Sequence, residues 1–381
     1  MNSIGIICEY NPFHNGHLYH LQKAKKINED ATIILVMPTN FTQRGDASIL
    51  TKKQKTELAL KYGIDLIIEL PYVFAVQSAD IYAYGAIKIL KNLNVDCIVF
   101  GSETNDIELF KNLASIQLND TNYQNYVKEY IDKGYNYPTA SSLSLSKITK
   151  CKIDQPNDIL ALSYVREIIK QNTNITPISI KRTNDYNNKE LIGDITSASS
   201  IREALNNDKD IKKYVPQYTY EYLKNIKIKN YYSLLKYKIQ SENNLNKYQS
   251  VDEGLNSRIK KCIDNSKTLD ELIQNVKTKR YTYVRLNRMF THILCNFTKD
   301  EAKNIDITYI RILGFSKKGR LYLNKVKKLS NIPIITNYSN IKDNILDIEC
   351  RVNKIYSSVF DEETKKTLIE EEYKCFPIKS D

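Results

Sequence analysis

A chain of 381 residues is too long for one ordinary hydrophobic core and predicts two domains. Its residues are 42% hydrophobic and 26% charged, with 28 tyrosines, which excludes intrinsic disorder because apolar surface is available to offset chain ordering. Lys plus Arg outnumber Asp plus Glu by 56 to 44, and the net charge of +12 admits two readings, a polyanionic partner such as nucleic acid or a merely solvated basic surface.

The stretch from Ser3 to Glu9 lacks a basic region followed by a long apolar segment and a small-residue cleavage site, so no export signal is expected. The apolar runs Thr32 to Met37 and Asp65 to Leu70 fall far short of the ~20 residues that span a bilayer, and no membrane association is expected. Cys8, Cys97, Cys151, Cys262, Cys295, Cys350 and Cys375 are scattered singly. They read as reduced thiols of a cytoplasmic chain rather than a disulfide framework or zinc knuckle.

Short β-branched runs recur at Ile4 to Cys8, Ile33 to Met37, Leu66 to Leu70 and Cys97 to Phe100. Each precedes a helix-compatible stretch, roughly His17 to Ile27, Lys52 to Tyr62, Ser78 to Leu90 and Asp106 to Ile116. The alternation predicts an α/β fold, Rossmann-like with a parallel sheet, whose ligands sit at the carboxyl ends of the strands. A helix over Asn157 to Lys170, a strand at Ile178 to Lys181 and a helix starting near Ser199 extend the pattern. From Tyr214 onward helical spacing takes over, as in Tyr231 to Ile239 and Leu269 to Phe290. The expected division is a catalytic domain over residues 1–210 and a mainly α-helical, basic C-terminal domain over 211–381. Ile332 to Thr336 and Cys350 to Tyr356 are read there as short strands.

Three of the four histidines, His14, His17 and His20, fall within seven residues just after the first strand. Pro12 and Gly16 punctuate a turn there, and helical periodicity starts at His17. A turn feeding a helix N-terminus offers backbone N–H groups and the helix dipole to a phosphate, and two imidazoles three residues apart add donors for charge developing at an α-phosphorus. Histidines serving only as turn and cap residues, or as zinc ligands, are the competing readings, and no cysteine or carboxylate spacing completes a zinc site. Downstream, Ser199 or Ser200 can cap a helix and bond phosphate, with Arg202 as a charge-assisted fork, although standing alone these residues read as a plain capped helix with a surface arginine.

The segment Phe13 to His17 resembles the HxGH signature of the nucleotidyltransferase superfamily, and Thr196 to Arg202 resembles its second signature, departing at Ala198 where many members carry serine. The resemblance is closer still to the bacterial tRNA(Met) cytidine acetate ligase family. It rests on Glu9 to His20, Thr42-Gln43-Arg44-Gly45-Asp46, Ile68 to Tyr72 with Ala75 to Ala79, Phe100 to Glu103, Pro156-Asn157-Asp158 and Lys277 to Thr282. The resemblance implies ATP-dependent acetylation of the wobble cytidine of elongator tRNA(Met) through acetyl-adenylate, with His14, His17 and Arg202 in catalysis. It implies ATP contacts at Ile7, Cys8, Glu9, Tyr10, Asn11, Pro12, Phe13, His14, Asn15, Gly16, His17, Leu18, Tyr19, His20, Gly101, Asn157, Arg182, Thr183, Ser199 and Ser200. For acetate, Gln43, Arg44 and the Gly45 amide follow the second strand, where the pocket is expected. Magnesium is expected with the triphosphate, held mostly by phosphate and water because no carboxylate cage is readable. No obligate protein partner is expected.

Between Lys277 and Arg288 the chain carries Lys277, Lys279, Arg280, Arg285 and Arg288 with Tyr281 and no acid. Cations for phosphates and aromatic faces for unstacked bases suit a single-stranded RNA loop, and a solvated amphipathic helix is the plainer alternative. A second acid-free stretch runs from Lys317 to Lys328. Two other functions stay open on the residues alone: adenylyl transfer to a small molecule, and a non-catalytic RNA-binding protein on the same scaffold.

Overall fold

The first four apolar runs form strands buried on both faces, which favours unbroken stretches of Ile, Val and Leu over alternation, while the fifth is a half-exposed edge strand. In a computed structural model, which describes residues 2–182, 196–252, 254–374 and 377–380, they are β1 (Ser3–Ile7), β2 (Thr32–Pro38), β3 (Leu66–Leu70), β4 (Cys97–Ser102) and β5 (Thr176–Lys181). Later strands are β6 (Ile310–Phe315), β7 (Ile334–Ile335) and β8 (Ile378–Lys379). The sheet runs β5-β4-β1-β2-β3-β6-β7, with β8 on β6. β1 to β5 are parallel to their neighbours among themselves, with Ser3 opposite Thr32 and Ile34 opposite Leu66, whereas β6 runs antiparallel to β3.

Alternate residues of β2 enter the two apolar layers. Ile34 and Val36 join Leu66, Ile68, Phe74 and Tyr82 on one face, and Ile33, Leu35 and Met37 join Ile4, Ile6, Phe13 and Leu21 on the other. The helices that bear on the site are α1 (Asn15–Lys25), α2 (Lys52–Lys61), α3 (Ala79–Asn92), α4 (Pro156–Lys170), α5 (Ala198–Asn206), α6 (Tyr283–Leu294) and α7 (Lys317–Val326). Among the described residues, none forms a helix long and apolar enough to cross a membrane.

Past residue 210 the chain does two different things. Residues 232–294 build a helical unit around Leu235, Ile239, Tyr248, Leu272, Met289 and Phe290. The remainder returns to the sheet through β6, a strand not anticipated from the sequence because Arg311 interrupts its apolar run. The stretch Cys350 to Tyr356, expected as a strand, lies instead inside the helix Asn344–Ser357. Ile345, Leu346, Ile348, Val352 and Tyr356 are buried at helical spacing, which outweighs the local β-branched content.

Returning the chain to the sheet buries charge. Arg311 lies between Glu69 and Glu372, 3.3 Å from the former, and Lys52 reaches the same two carboxylates at 2.5 and 2.8 Å. Burial pushes the Glu372 carboxyl up, but Arg311 and Lys52 outweigh it and hold the group well below the usual carboxylate range.

Candidate active site

β1 delivers the chain to a turn at the carboxyl end of the sheet, where Tyr10 takes a positive φ of 48° and Asn11 leads into Pro12. His14 is the N-cap of α1 with extended backbone, its Nδ1 accepting from the Gly16 amide at 3.0 Å. His17 reciprocates, its Nδ1 accepting from the His14 amide at 3.3 Å. A ring nitrogen that accepts carries no proton, so both neutral imidazoles keep Nε2–H as their donor. The two rings lie 3.8 Å apart, with Tyr10 and Phe13 against His17.

This arrangement corrects the expectation that free backbone amides at the start of α1 bind phosphate. Asn15 N donates to Tyr214 O, Gly16 N to His14 Nδ1, and the His17 and Leu18 amides both to His14 O. With those amides engaged, the imidazoles are the donors that remain for an anion. Burial, then the positive charges of Arg182 and Arg202, pushes His14 down to about 3. Burial and Arg182 push His20 down to about 4, and burial with the neighbouring imidazoles lowers His17 strongly. Three neutral imidazoles beside two guanidiniums make a donor-rich pocket, and among the described residues the buried His20 Nε2 and Arg182 Nε have no hydrogen-bond partner, with the Glu103 carboxylate 3.7 Å from Arg182 Nε as an ion pair.

Arg202 reaches the same turn from α5. Its Nη1 donates to Asn11 O at 2.7 Å and its Nη2 to Asp46 Oδ2 at 2.9 Å. The cap of α5 is Ser197, not Ser199 or Ser200: Ser197 Oγ accepts from the Ser200 amide at 3.1 Å. The hydroxyls of Ser199 and Ser200 lie 2.9 and 2.7 Å from that oxygen, forming a cluster at the helix start. Gly101, the residue before the end of β4, lies against Arg182, whose side chain would meet a Cβ at 3.3 Å. Asn157 is in the first turn of α4 and donates to Glu103 Oε1. Thr183 and Cys375 lie outside the described residues, and the other cysteines are free thiols.

Sequence reasoning assigned no role to three residues that shape this region. Asp158 accepts from Ser102 Oγ at 2.7 Å and from the Glu103 and Thr104 amides, fixing the loop after β4. Lys55, buried in α2, donates to Pro38 O at 2.7 Å, Thr39 O at 3.3 Å and Ser48 Oγ at 3.2 Å, and burial pushes it down to about 7. Nothing in the Lys-Lys-Gln-Lys run sets this lysine apart from its neighbours, because its carbonyl partners lie more than a dozen residues upstream. Asp46 is the third, accepting from both Arg202 and Asn287 Nδ2.

The acetate candidates have structural partners. Gln43 Nε2 donates to Gln77 O at 2.7 Å, its amide to Glu9 Oε1 at 2.6 Å, and the Gly45 amide to Thr42 O at 2.9 Å. Arg44 O accepts from Asn287 Nδ2 at 3.0 Å, which ties the loop to α6. Among the described residues, no three His, Cys, Asp or Glu side chains converge to hold a metal ion.

In the basic segment, Lys277, Lys279 and Arg280 are exposed, as an RNA contact requires. Tyr281 corrects the expectation of a stacking face: it is buried in the helical core with the Arg285 guanidinium 4.8 Å over its ring. Arg285 also pairs with Asp252. Arg288 is half-buried and pushed down to about 10 by burial and by Arg285 and Arg44. The second basic stretch does not share this face. On α7, Lys318 Nζ donates to Ala31 O and Tyr322 OH to Leu93 O, and the cap Ser316 bonds Asp65, so the helix lies at the amino ends of β2 to β4, opposite His14.

The fourth histidine, His292 on α6, is buried against Tyr72 at 3.0 Å, and burial followed by Arg288 pushes it down to about 3. A folded value below the unfolded one means that the unfolded chain binds more protons between them, so this contribution is complete above about pH 6.5 and declines as pH falls toward 3. The gap in melting temperature between the wild type and His292→Gln is therefore expected to narrow from pH 7 to pH 5, checked by thermal unfolding at each pH.

Residues 1–372 match the family model described as HIGH Nucleotidyl Transferase. The chain is 39% identical to the tRNA(Met) cytidine acetate ligase of Geobacillus sp., across 99% of this chain and 100% of the relative. It is 38% identical to that of Caldicellulosiruptor saccharolyticus, across 99% and 98%. Among solved structures it is similar to Thermotoga maritima TmcAL in its apo form, with a TM-score of 0.92 and 30% identity over 100% of this chain and 99% of that one. It is also similar to the same protein bound with alpha-thio ATP, with a TM-score of 0.89, 29% identity and full coverage of both chains.

Proposed function

The chain belongs to the HIGH nucleotidyl transferase family and, within it, to the tRNA(Met) cytidine acetate ligases, and from that premise we propose that it is an ATP-dependent ligase that acetylates the wobble cytidine of elongator tRNA(Met). The observation that carries this reading is the end-to-end match to relatives bearing that name. Acetate attacks the α-phosphorus of ATP and pyrophosphate leaves. The exocyclic amine of the cytidine then attacks the acetyl-adenylate carbonyl and AMP leaves. His14 and His17 serve as neutral Nε2–H donors to the phosphates, and Arg202 supplies a charge-assisted donor beside them. Fixed donors of this kind work by positioning and electrostatics, without a protein nucleophile.

Arg182, Asn157, Gly101 and the Ser199 and Ser200 hydroxyls complete the proposed ATP site, and the segment from Gln43 to Gly45 is proposed to border the acetate. Magnesium would enter with the triphosphate, held mostly by phosphate and water, and would neutralise phosphate charge there. RNA is assigned to the helical unit within residues 211–381, with Lys277, Lys279 and Arg280 on its phosphates. A cytoplasmic location follows from the substrate.

The reading is tested by incubating the purified protein with ATP, labelled acetate and total tRNA, then analysing nucleosides. Label in acetylcytidine that depends on both ATP and acetate is expected; transfer of AMP to a small molecule, or no turnover, refutes it. The RNA assignment has its own test. The double substitution Lys279→Ala with Arg280→Ala is expected to weaken tRNA binding and flatten the slope of log K against log salt by about 0.7 for each phosphate that is no longer neutralised. An unchanged slope removes these residues from the RNA interface.

A further inference from the structure

Arg202 and α6 belong to different folding units, yet one side chain bonds both. Asp46 lies in the loop beyond β2. Its Oδ2 accepts from Arg202 Nη2 at 2.9 Å, and its Oδ1 accepts at 2.8 Å from Nδ2 of Asn287, in the second turn of α6. Arg202 turns Nη1 to Asn11 O, three residues ahead of His14. The loop is also fastened to α6 without Asp46, by Thr291 Oγ1 donating to Gly45 O at 2.7 Å and by Asn287 Nδ2 to Arg44 O at 3.0 Å. Gly45 has φ of 89°, and a Cβ there would stand 2.9 Å from the Asn287 and Arg288 backbone, so loop and helix touch main chain to main chain. Gly45, Asp46, Arg202, Asn287 and Tyr231 line a cavity of about 400 Å³ between the loop after β2, α5 and the helical unit.

We propose that Asp46 is a positioning residue that couples RNA held on the helical unit to the placement of Arg202 in the nucleotide site. The inference rests on the reading above, in which Lys277, Lys279 and Arg280 bind RNA and Arg202 serves the ATP phosphates. The exposed cations Lys277, Lys279 and Arg280 lie just ahead of Thr282, the cap of α6, so RNA that shifts the first turns of α6 moves Asn287, and with it the Asp46 carboxylate. A carboxylate that shares a guanidinium with phosphate sets how much of that guanidinium faces the nucleotide. Such coupling is reciprocal: RNA changes ATP affinity by the factor by which ATP changes RNA affinity.

The test uses the full-length protein, a non-hydrolysable ATP analogue, and an anticodon stem-loop with an unmodified wobble cytidine. Asp46→Asn keeps an oxygen for Asn287 but removes the charge that pairs with Arg202. Asn287→Ala cuts the arm to α6 and leaves the Asp46–Arg202 pair. In the wild type the stem-loop is expected to change the Kd of the analogue by about fivefold or more, with the same factor seen in the reverse titration, and by less than about twofold in either variant. Circular dichroism screens folding, and if Asn287→Ala fails to fold, Asp46→Asn decides. Stem-loop binding without coupling in the wild type, or coupling retained in a folded variant, overturns the role of Asp46 alone. A wild type that does not bind the stem-loop overturns the RNA reading together with it.

Discussion

Replacing His17 with alanine is expected to lower acetate-dependent ATP–pyrophosphate exchange by about 100- to 1000-fold, the usual effect of deleting one fixed donor that meets developing charge. The imidazole does two things that alanine cannot. Its Nδ1 accepts from the His14 amide at 3.3 Å, and its ring supports His14 at 3.8 Å, so its loss also loosens the neighbouring donor. The Nδ1 acceptor and the Nε2 donor separate by substitution. Asparagine places an oxygen near the position of Nδ1 and retains the bond to the His14 amide, whereas glutamine places an amide nitrogen near Nε2. His17→Asn is therefore expected to fold and remain inactive, His17→Gln to recover part of the exchange, and both to bind tRNA within about twofold of the wild type, because the proposed phosphate contacts lie on another unit. Full exchange activity in His17→Ala would remove the residue from the chemistry.

Arg311→Ala is expected to cost about 3–5 kcal/mol of stability, the typical penalty for leaving buried charge without its partner. Glu69 and Glu372 are almost fully buried, and Arg311 serves both, its Nη2 also donating to Glu372 O at 2.9 Å. Lys52 would remain near the two carboxylates but has no bond to that carbonyl to offer in its place. Urea unfolding monitored by circular dichroism measures the effect as a lower midpoint. Combining Arg311→Met with Glu372→Leu is expected to recover much of the loss, since an apolar pair of similar volume removes the desolvation cost that the ion pair had to overcome. A single substitution that leaves the midpoint unchanged would mean that the buried network contributes nothing to holding β6 on the sheet.

What could be read from the residues was local in origin. β1 to β4 announced themselves as unbroken apolar runs because strands buried on both faces need no alternation, and the histidine cluster stood out because its members are neighbours in sequence. The family resemblance rested on such contiguous segments as well. Periodicity failed where two signals competed. Arg311 broke the apolar run of β6, although its charge is matched by Glu69, 242 residues away. At Cys350 to Tyr356 β-branched content argued against a helix that burial at a spacing of three and four then formed.

The residues alone therefore determined the parallel core of the fold, the position of the candidate phosphate site after β1, and the basic character of the segment before α6. Tertiary structure decided which donors at that site remain available. The amides at the start of α1 are taken by Tyr214 O and by the His14 ring and carbonyl, leaving the imidazole Nε2–H groups. It also decided that Tyr281 packs inward, that α7 lies at the far ends of the strands, and that Asp46 joins Arg202 to Asn287. The physical reason is one of range. A hydrophobic repeat reports how each residue meets its nearest neighbours along the chain, whereas a hydrogen bond across 241 residues exists only once folding has brought its two ends together.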